Sequence, residues 1–254
     1  MARLEGKVAI VTGAAMGLGS AAATALHVEG ASVVIADIDA EAGMKLAAKL
    51  GERALFLELD VTQEAHWVDV ISATNDHFGQ LDILVNNAGV VVMATIEDTT
   101  FEQLKFVQSV NIDGPFLGCK HAIPTMAKSG GGSIINISSI AAMVGTPPFA
   151  AYSASKGALR SITQTVAVHC NMRKNGIRCN SIHPGGMDTN MVASLLELGR
   201  MSPLAVELML EMGKEDEPKG KPEDVAAAVV YFASDESRFV NGSMLAVDNG
   251  STAA

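Results

Sequence analysis

A chain of 254 residues, 48% hydrophobic and 18% charged, is long enough to bury a sizeable core and too apolar to be disordered. Its formal charge of -10 sets it against nucleic acid or an anionic membrane as the main partner, because both would repel it over the screened range. Cys119, Cys170 and Cys179 form no C-x-x-C pair, no leader-like segment opens the chain, and no apolar run reaches the roughly eighteen residues of a membrane helix; the pattern excludes a disulfide scaffold and reads as reduced thiols in the cytoplasm.

Aromatic residues make up only 4%, so the core must come from Val, Ile, Leu, Ala and Met. The run Lys7-Val8-Ala9-Ile10-Val11 predicts a buried strand, followed by a glycine-rich turn and an alanine-rich helix over 17–29 that Gly30 ends. The alternation then repeats. Strands are predicted at 32–36, 54–58, 82–85, 133–137, 177–182 and 244–247. Helices are predicted at 40–50, 63–78, 101–127, 151–173 and 222–233. Strands alternating with helices of this length predict βαβ units, hence an α/β Rossmann-type fold: a doubly wound, seven-stranded parallel sheet with helices on both faces. No linker interrupts the rhythm before residue 186, so residues 1–254 are expected to form a single domain. Residues 186–221 depart from it, rich in Met and Leu at first and polar from Lys214 to Lys221. A segment this long inside a compact domain predicts a substrate lid.

The turn Thr12-Gly13-Ala14-Ala15-Met16-Gly17-Leu18-Gly19 lies between the first strand and the first helix. A pyrophosphate there would meet backbone N–H groups and the positive helix end, and each glycine has a use in a tight turn, close backbone approach or close packing. Asp37 ends the second predicted strand, eighteen residues past Gly19, where a carboxylate accepts hydrogen bonds from an adenosine ribose diol and repels a 2′-phosphate. Asp39 adds negative charge, and neither Met16 nor Ile38 supplies the cation that would attract NADP. The expected cofactor is NAD.

With these residues the chain resembles the short-chain dehydrogenase/reductase family, in its branch of single-domain enzymes. The resemblance rests on Thr12-Gly13-x-x-x-Gly17-x-Gly19, Asp60-Val61, Asn86-Asn87-Ala88-Gly89, Asn111, Ser139, Tyr152-x-x-x-Lys156 and Pro184-Gly185-x-x-x-Thr189, and it weakens over 190–221. Short stretches such as Ser181-Ile182-His183-Pro184 are also similar to bacterial 3β/17β-hydroxysteroid dehydrogenases. The resemblance implies that Asp60 and Val61 lie beside the adenine, that Asn86 to Gly89 support the sheet and the cofactor ribose, and that Thr189 holds the nicotinamide carboxamide. It also implies that Asn111 anchors a water linking Lys156 to solvent, and that the chain forms a homotetramer on the long helices at 101–127 and 151–173.

Tyr152 and Lys156 are four apart on a predicted helix and share one face. An ammonium so close favours the phenolate and should bring a poor base toward the working range, while the same lysine holds the nicotinamide ribose. Ser139, thirteen residues earlier at a strand end, would hydrogen-bond the substrate oxygen; strand alternation turns Ser138 to the other face. The six histidines show no metal-ligand spacing and read as surface or helix residues, so no metal is expected.

Pocket walls are expected from Val90 to Ala94, from Ala141, Val144 and Phe149, and from Gly186, Met187, Met191, Val192, Leu195 and Leu196 of the lid. These apolar, methionine-rich walls predict a small hydrophobic secondary alcohol and its ketone as substrate pair. A hydroxysteroid dehydrogenase is the narrower alternative. An acyl-carrier ketoreductase would bring basic residues near the glycine turn, an enoyl reductase would space tyrosine and lysine farther apart, and an extended sugar epimerase would need a larger C-terminal domain. A non-catalytic NAD-binding sensor would lack part of the Ser139, Tyr152 and Lys156 set.

Overall fold

The apolar runs pair edge to edge into one parallel sheet, in the order β3-β2-β1-β4-β5-β6-β7. Its strands are β1 (Val8–Thr12), β2 (Ser32–Asp37), β3 (Ala54–Glu58), β4 (Ile83–Asn86), β5 (Gly132–Ile137), β6 (Ile177–Pro184) and β7 (Met244–Val247). Every pairing is parallel, with Val11 opposite both Ile35 and Val85, and Ile137 opposite Ile182. The computed structural model of the chain describes residues 2–189, 195, 199–212 and 218–253.

The strands read as unbroken apolar runs because both faces of the sheet are covered. Ala9, Val11, Val33, Ile35, Ile83, Val85 and Ile135 point to one face, where they pack on α1 (Gly17–Val28) and on α8 (Pro222–Ala233). Their neighbours Ile10, Val34, Ala36, Leu84 and Ile134 point to the other, beneath α3 (Glu64–Phe78), α5 (Gly114–Lys128) and α6 (Ala150–Arg173). Helix α2 (Ala40–Leu50) lies along β2 and β3, with the Asp39 side chain accepting from Ala42 N at its start.

Three features differ from the sequence reading. The predicted helix at 101–127 is broken into α4 (Phe101–Gln108), a π-helical turn over Ser109–Asp113, and α5. The π turn inserts one residue into the helical path, a local change that a reading of the segment as one long helix does not mark. Strand β6 runs two residues further than predicted, to Pro184. Within the predicted lid stands a further helix, α7 (Pro203–Glu211), capped by the Ser202 hydroxyl accepting from Ala205 N at 3.1 Å. No helix among the described residues is long and apolar enough to cross a membrane.

Trp67 of α3 is fully buried, and its indole Nε1–H donates to the Val61 carbonyl at 3.0 Å. It wedges α3 against α5 at Gly118, where a Cβ would lie 2.7 Å from the indole ring. Replacing Trp67 by Ala therefore removes a side chain that neighbouring helices cannot collapse to replace. The expected cost is about 3–5 kcal/mol of stability, read as a lower denaturant midpoint; a loss below about 1 kcal/mol would show that the α3–α5 seam closes without it.

Candidate active site

The order of the sheet reverses direction between β1 and β4, and ligands of such sheets bind in the crevice this opens at the strand C-termini. The glycine turn lies there. Gly13 has φ +61, and a Cβ on it would sit 2.8 Å from the Ala88 Cα; one on Gly19 would sit 2.1 Å from the Gly13 carbonyl oxygen. Only glycine lets the turn lie so flat against β4. Thr12 Oγ1 accepts from Asn87 N and Ala88 N, both at 3.0 Å, and the Asn87 amide donates back to the Thr12 and Gly13 carbonyls.

At the start of α1 the N-cap is Met16, whose exposed thioether makes no cap hydrogen bond. The first N–H groups of α1, at Gly17, Leu18 and Gly19, are thus not taken up by a side-chain cap and are suited to receive an anion. Beyond Gly17 a Cβ would meet nothing within 4 Å. The turn therefore fits a diphosphate both sterically and electrostatically.

Asp37 closes the far side of the turn. Its Oδ2 accepts from Ala15 N at 2.8 Å and its Oδ1 from Asp39 N at 3.0 Å, which fixes the carboxylate beside the glycine loop. The adjacent Ile38 is 70% exposed, so no cation shields that charge from the next residue along the chain. Asp60 Oδ1 accepts from the Thr62 N–H and hydroxyl; burial pushes this carboxyl up, but these bonds prevail and hold it below its ordinary range. Val61 is buried against Gly114.

At the other end of the crevice, Ser139, Tyr152 and Lys156 come together. Ser139 follows β5 and starts a short 3₁₀ turn over Ile140–Ala142, its Oγ accepting from Ala141 N at 3.1 Å. Ser138 turns away, donating to the Lys156 carbonyl at 3.1 Å, as strand alternation requires. Lys156 is 4% exposed; its ammonium donates to the Ile137 carbonyl at 2.8 Å and lies 5.6 Å from the centre of the Tyr152 ring. Asn111, in the π turn, accepts from Val90 N through Oδ1 and donates through Nδ2 to the Val90 carbonyl and to Ser155 Oγ. A Cβ on Gly89 would touch both the Asn111 Oδ1 and the Lys156 Nζ, which places this glycine between them.

The electrostatics correct one expectation. Burial pushes the Tyr152 phenol up and the neighbouring Ser139 hydroxyl pulls it part of the way back, so the net direction is upward. The ring keeps a part-exposed edge, yet the phenol's surroundings are dry. Burial also pushes the Lys156 amine down, to about 8. The lysine donates to a backbone carbonyl, and desolvation sets the direction of both shifts.

A second correction concerns the histidines. His183 is neither a surface nor a helix residue: it is fully buried in β6, its Nδ1 2.9 Å from the Ser139 carbonyl and its Nε2 2.8 Å from Ser181 Oγ.

The pocket walls are assembled partly as expected. Tyr152 and Phe149, ring centres 6.4 Å apart, pack against Val91, Met93 and Leu195. Met201, Ala205, Val206 and Met209 join them from α7 and the residues before it, and the sequence reading did not single these out. The Ser202-Pro203 pair, an N-cap followed by proline, was the signal that could have found them. Ala141 is buried and Val144 is 39% exposed. Met187 packs on the sheet core and not in this cluster. Met191, Val192 and Leu196 lie outside the described residues. The neck of the segment is tied: Gly220 N donates to the Gly186 carbonyl at 2.9 Å and Asp188 N to the Gly220 carbonyl at 2.8 Å. Gly185 abuts Asp248. At the end of the described stretch, Thr189 N bonds the Met187 carbonyl.

A seven-stranded parallel sheet with a glycine turn at its switch point, and a serine, a tyrosine and a lysine at the neighbouring strand ends, defines a nucleotide-binding oxidoreductase of the Rossmann class. A family model described as enoyl-(acyl carrier protein) reductase matches residues 13–252. The NADP-dependent (R)-specific alcohol dehydrogenase of Lentilactobacillus kefiri is 41% identical over 254 residues, covering 99% of this chain and 98% of that protein. The 3-beta-hydroxysteroid dehydrogenase of Comamonas testosteroni is 40% identical, over 97% of this chain and 96% of its own. The cyclopentanol dehydrogenase of Comamonas sp. (strain NCIMB 9872) is also 40% identical, with 100% of both chains covered. The chain belongs to the short-chain dehydrogenase/reductase family, whose enzymes work with a nicotinamide cofactor.

The depressed amine of Lys156 has a measurable consequence. A lysine whose folded pKa lies below its unfolded one binds fewer protons when folded, so burial costs stability at neutral pH and that cost is relieved as the pH rises from about 8 toward the ordinary 10.5. Wild-type stability is expected to gain on that of Lys156→Met by about 2–3 kcal/mol across this window. Parallel stability–pH curves from chemical denaturation would contradict the assignment.

Proposed function

We propose that this chain is an NAD(H)-dependent dehydrogenase that interconverts a hydrophobic secondary alcohol and its ketone, with Tyr152 as the proton-transfer residue. The observation that carries the reading is the gathering of Ser139, Tyr152 and Lys156 at the end of a crevice whose other end is the glycine turn and Asp37. The NAD cofactor supplies the hydride acceptor or donor. The Tyr152 oxygen takes the hydroxyl proton of the alcohol during oxidation and returns it during reduction. Ser139 donates a hydrogen bond to the substrate oxygen and stabilises its developing charge. Lys156 orients the ribose and keeps a positive charge beside the phenol, and Asn111 ties the π turn to α6 through Ser155.

The diphosphate would rest on Gly13, Met16, Gly17, Leu18 and Gly19, the adenosine between Asp37, Ile38, Asp60 and Val61, and the nicotinamide half near Asn87, Ala88, Gly89, Pro184, Gly185 and Thr189. NAD is favoured over NADP by the fixed Asp37 carboxylate, which has no neighbouring cation in Met16 or Ile38. The first relative named above is NADP-dependent, so the choice of cofactor has to be measured on this chain itself. Residues 186–221 would serve as the lid. The apolar cluster around Tyr152 supports a greasy substrate, and its relatives include enzymes named for cyclopentanol and for a 3-beta-hydroxysteroid. A cytoplasmic homotetramer completes the reading, supported by three free cysteines and by Phe116, Val168 and Met172 standing exposed on α5 and α6.

The test is a screen of cyclic, aryl-alkyl and steroid secondary alcohols with NAD and with NADP, following absorbance of the reduced cofactor. Turnover with NAD is expected, and equal or faster rates with NADP would defeat the reading of Asp37. Tyr152→Phe should lower kcat by roughly 10²–10⁴-fold while cofactor binding persists; near-normal kcat would remove the tyrosine from the chemistry. The double variant Asp37→Ala/Ile38→Arg should move preference toward NADP by about tenfold or more. Unchanged preference would place discrimination elsewhere.

A further inference from the structure

The mechanism above uses Ser139 but leaves His183 without a role. An imidazole buried in the middle of a parallel sheet is costly unless both nitrogens are engaged. Here both are: Nδ1 lies 2.9 Å from the Ser139 carbonyl and Nε2 2.8 Å from Ser181 Oγ. A carbonyl only accepts, so Nδ1 carries the proton and Nε2 accepts from the Ser181 hydroxyl. Burial lowers the imidazole's pKa, Arg160 and Lys156 add to this, and the Ser139 bond opposes it; the net direction is downward, which keeps the ring neutral.

The position in the sheet explains why a side chain is needed. The last rung between β5 and β6 runs from Ser138 N to the Ile182 carbonyl at 2.8 Å. The next rung of a parallel ladder would require an N–H at residue 184, and Pro184 has none. That rung would have ended on the Ser138 carbonyl; the His183 ring instead reaches the next carbonyl along, that of Ser139, and ties the two chains just past the end of the ladder. The same carbonyl accepts from Ala142 N at 3.0 Å, and the Ser139 hydroxyl accepts from Ala141 N. Both polar groups of Ser139 are therefore fixed at the start of the 3₁₀ turn, and rotating its peptide plane would swing the hydroxyl away from Tyr152.

We propose that His183 is a positioning residue: its buried imidazole ties the Ser139 carbonyl to β6 just past the point where Pro184 ends the ladder, and so holds Ser139 in register with the Tyr152 phenol. The inference rests on the reading of Ser139 and Tyr152 given above. It predicts that the bond to Ser139 matters to catalysis and the bond to Ser181 does not.

Two substitutions separate those bonds. In His183→Asn the side-chain amide takes the place of Nδ1 and can still donate to Ser139; in His183→Gln it takes the place of Nε2 and can only reach Ser181. Steady-state kinetics on the best secondary alcohol from the screen, with NADH binding and thermal melting measured in parallel, should give an Asn variant within about threefold of wild-type kcat and a Gln variant roughly tenfold or more slower. NADH affinity should be equal in both. Placed in a Ser139→Ala background, His183→Gln should add no further loss, because it acts through that serine. Equal kcat for Asn and Gln, or a Gln effect that adds in full to Ser139→Ala, overturns the proposal, and so does failure of the Asn variant to fold. A wild-type protein that turns over no secondary alcohol with either cofactor removes the functional reading itself, and this inference with it.

Discussion

An ammonium taken out of water without a carboxylate beside it is among the most expensive groups a protein can bury, and Lys156 is held in that state by packing on all sides. Two hydrogen bonds fasten it to the end of β5, one from its ammonium to the Ile137 carbonyl and one from Ser138 to its own carbonyl. Side chain and main chain of one residue thus grip consecutive residues of the strand. Helix α6 cannot slide or rotate without breaking both, and Tyr152, one turn earlier on that helix, inherits the register. A second tie runs from Asn111 to Ser155 Oγ and from Ser155 to the Tyr152 carbonyl. The phenol therefore stands on a helix pinned from two elements, as a group must be when a misplacement of an ångström costs orders of magnitude in rate.

The sheet and its covering helices were legible because burial on both faces erases the polar alternation of a strand. Val8-Ala9-Ile10-Val11 could hardly be anything else between two glycine-bearing turns. What escaped the pattern were features that periodicity does not encode. The π turn at Ser109–Asp113 adds a residue while apolar side chains continue on both sides, yet it is what carries Asn111 to the Val90 backbone. Helix α7 is preceded by a polar cap in a segment rich in methionine, and its apolar residues face a pocket, not the sheet, so the rhythm of the scaffold does not extend to it.

The site divides along the same line. The shared face of Tyr152 and Lys156 followed from their spacing, though only its register with the other motifs singled the pair out, and the opposite facing of Ser138 and Ser139 followed from the two-residue period of a strand. The contact of His183 could not, since its partner, the Ser139 carbonyl, is distant along the chain and is brought to it only by the pairing of β5 with β6. Nor could the direction of the Tyr152 shift, which depends on how dry a pocket is and on where a lysine spends its hydrogen bond. Spacing gives the distance between charges; the fold sets the medium in which they interact.

That medium moves the two groups apart. The phenol is pushed up and the amine down to about 8, both by burial, so each environment favours the uncharged form. A phenolate here would gain from the ammonium 5.6 Å from the ring centre, and a buried ammonium from an anion close by. Near neutral pH the amine, at about 8, still carries most of its charge while the phenol keeps its proton. The resting pair then holds its proton on the phenol, as the proposed reduction of a ketone would need. The proposed action as a base in the reverse direction would need the phenol to lose its proton while the lysine keeps its own, the order opposite to the one that burial favours. The burial that makes Lys156 costly to the fold thus also works against the proposed role of Tyr152 as a base.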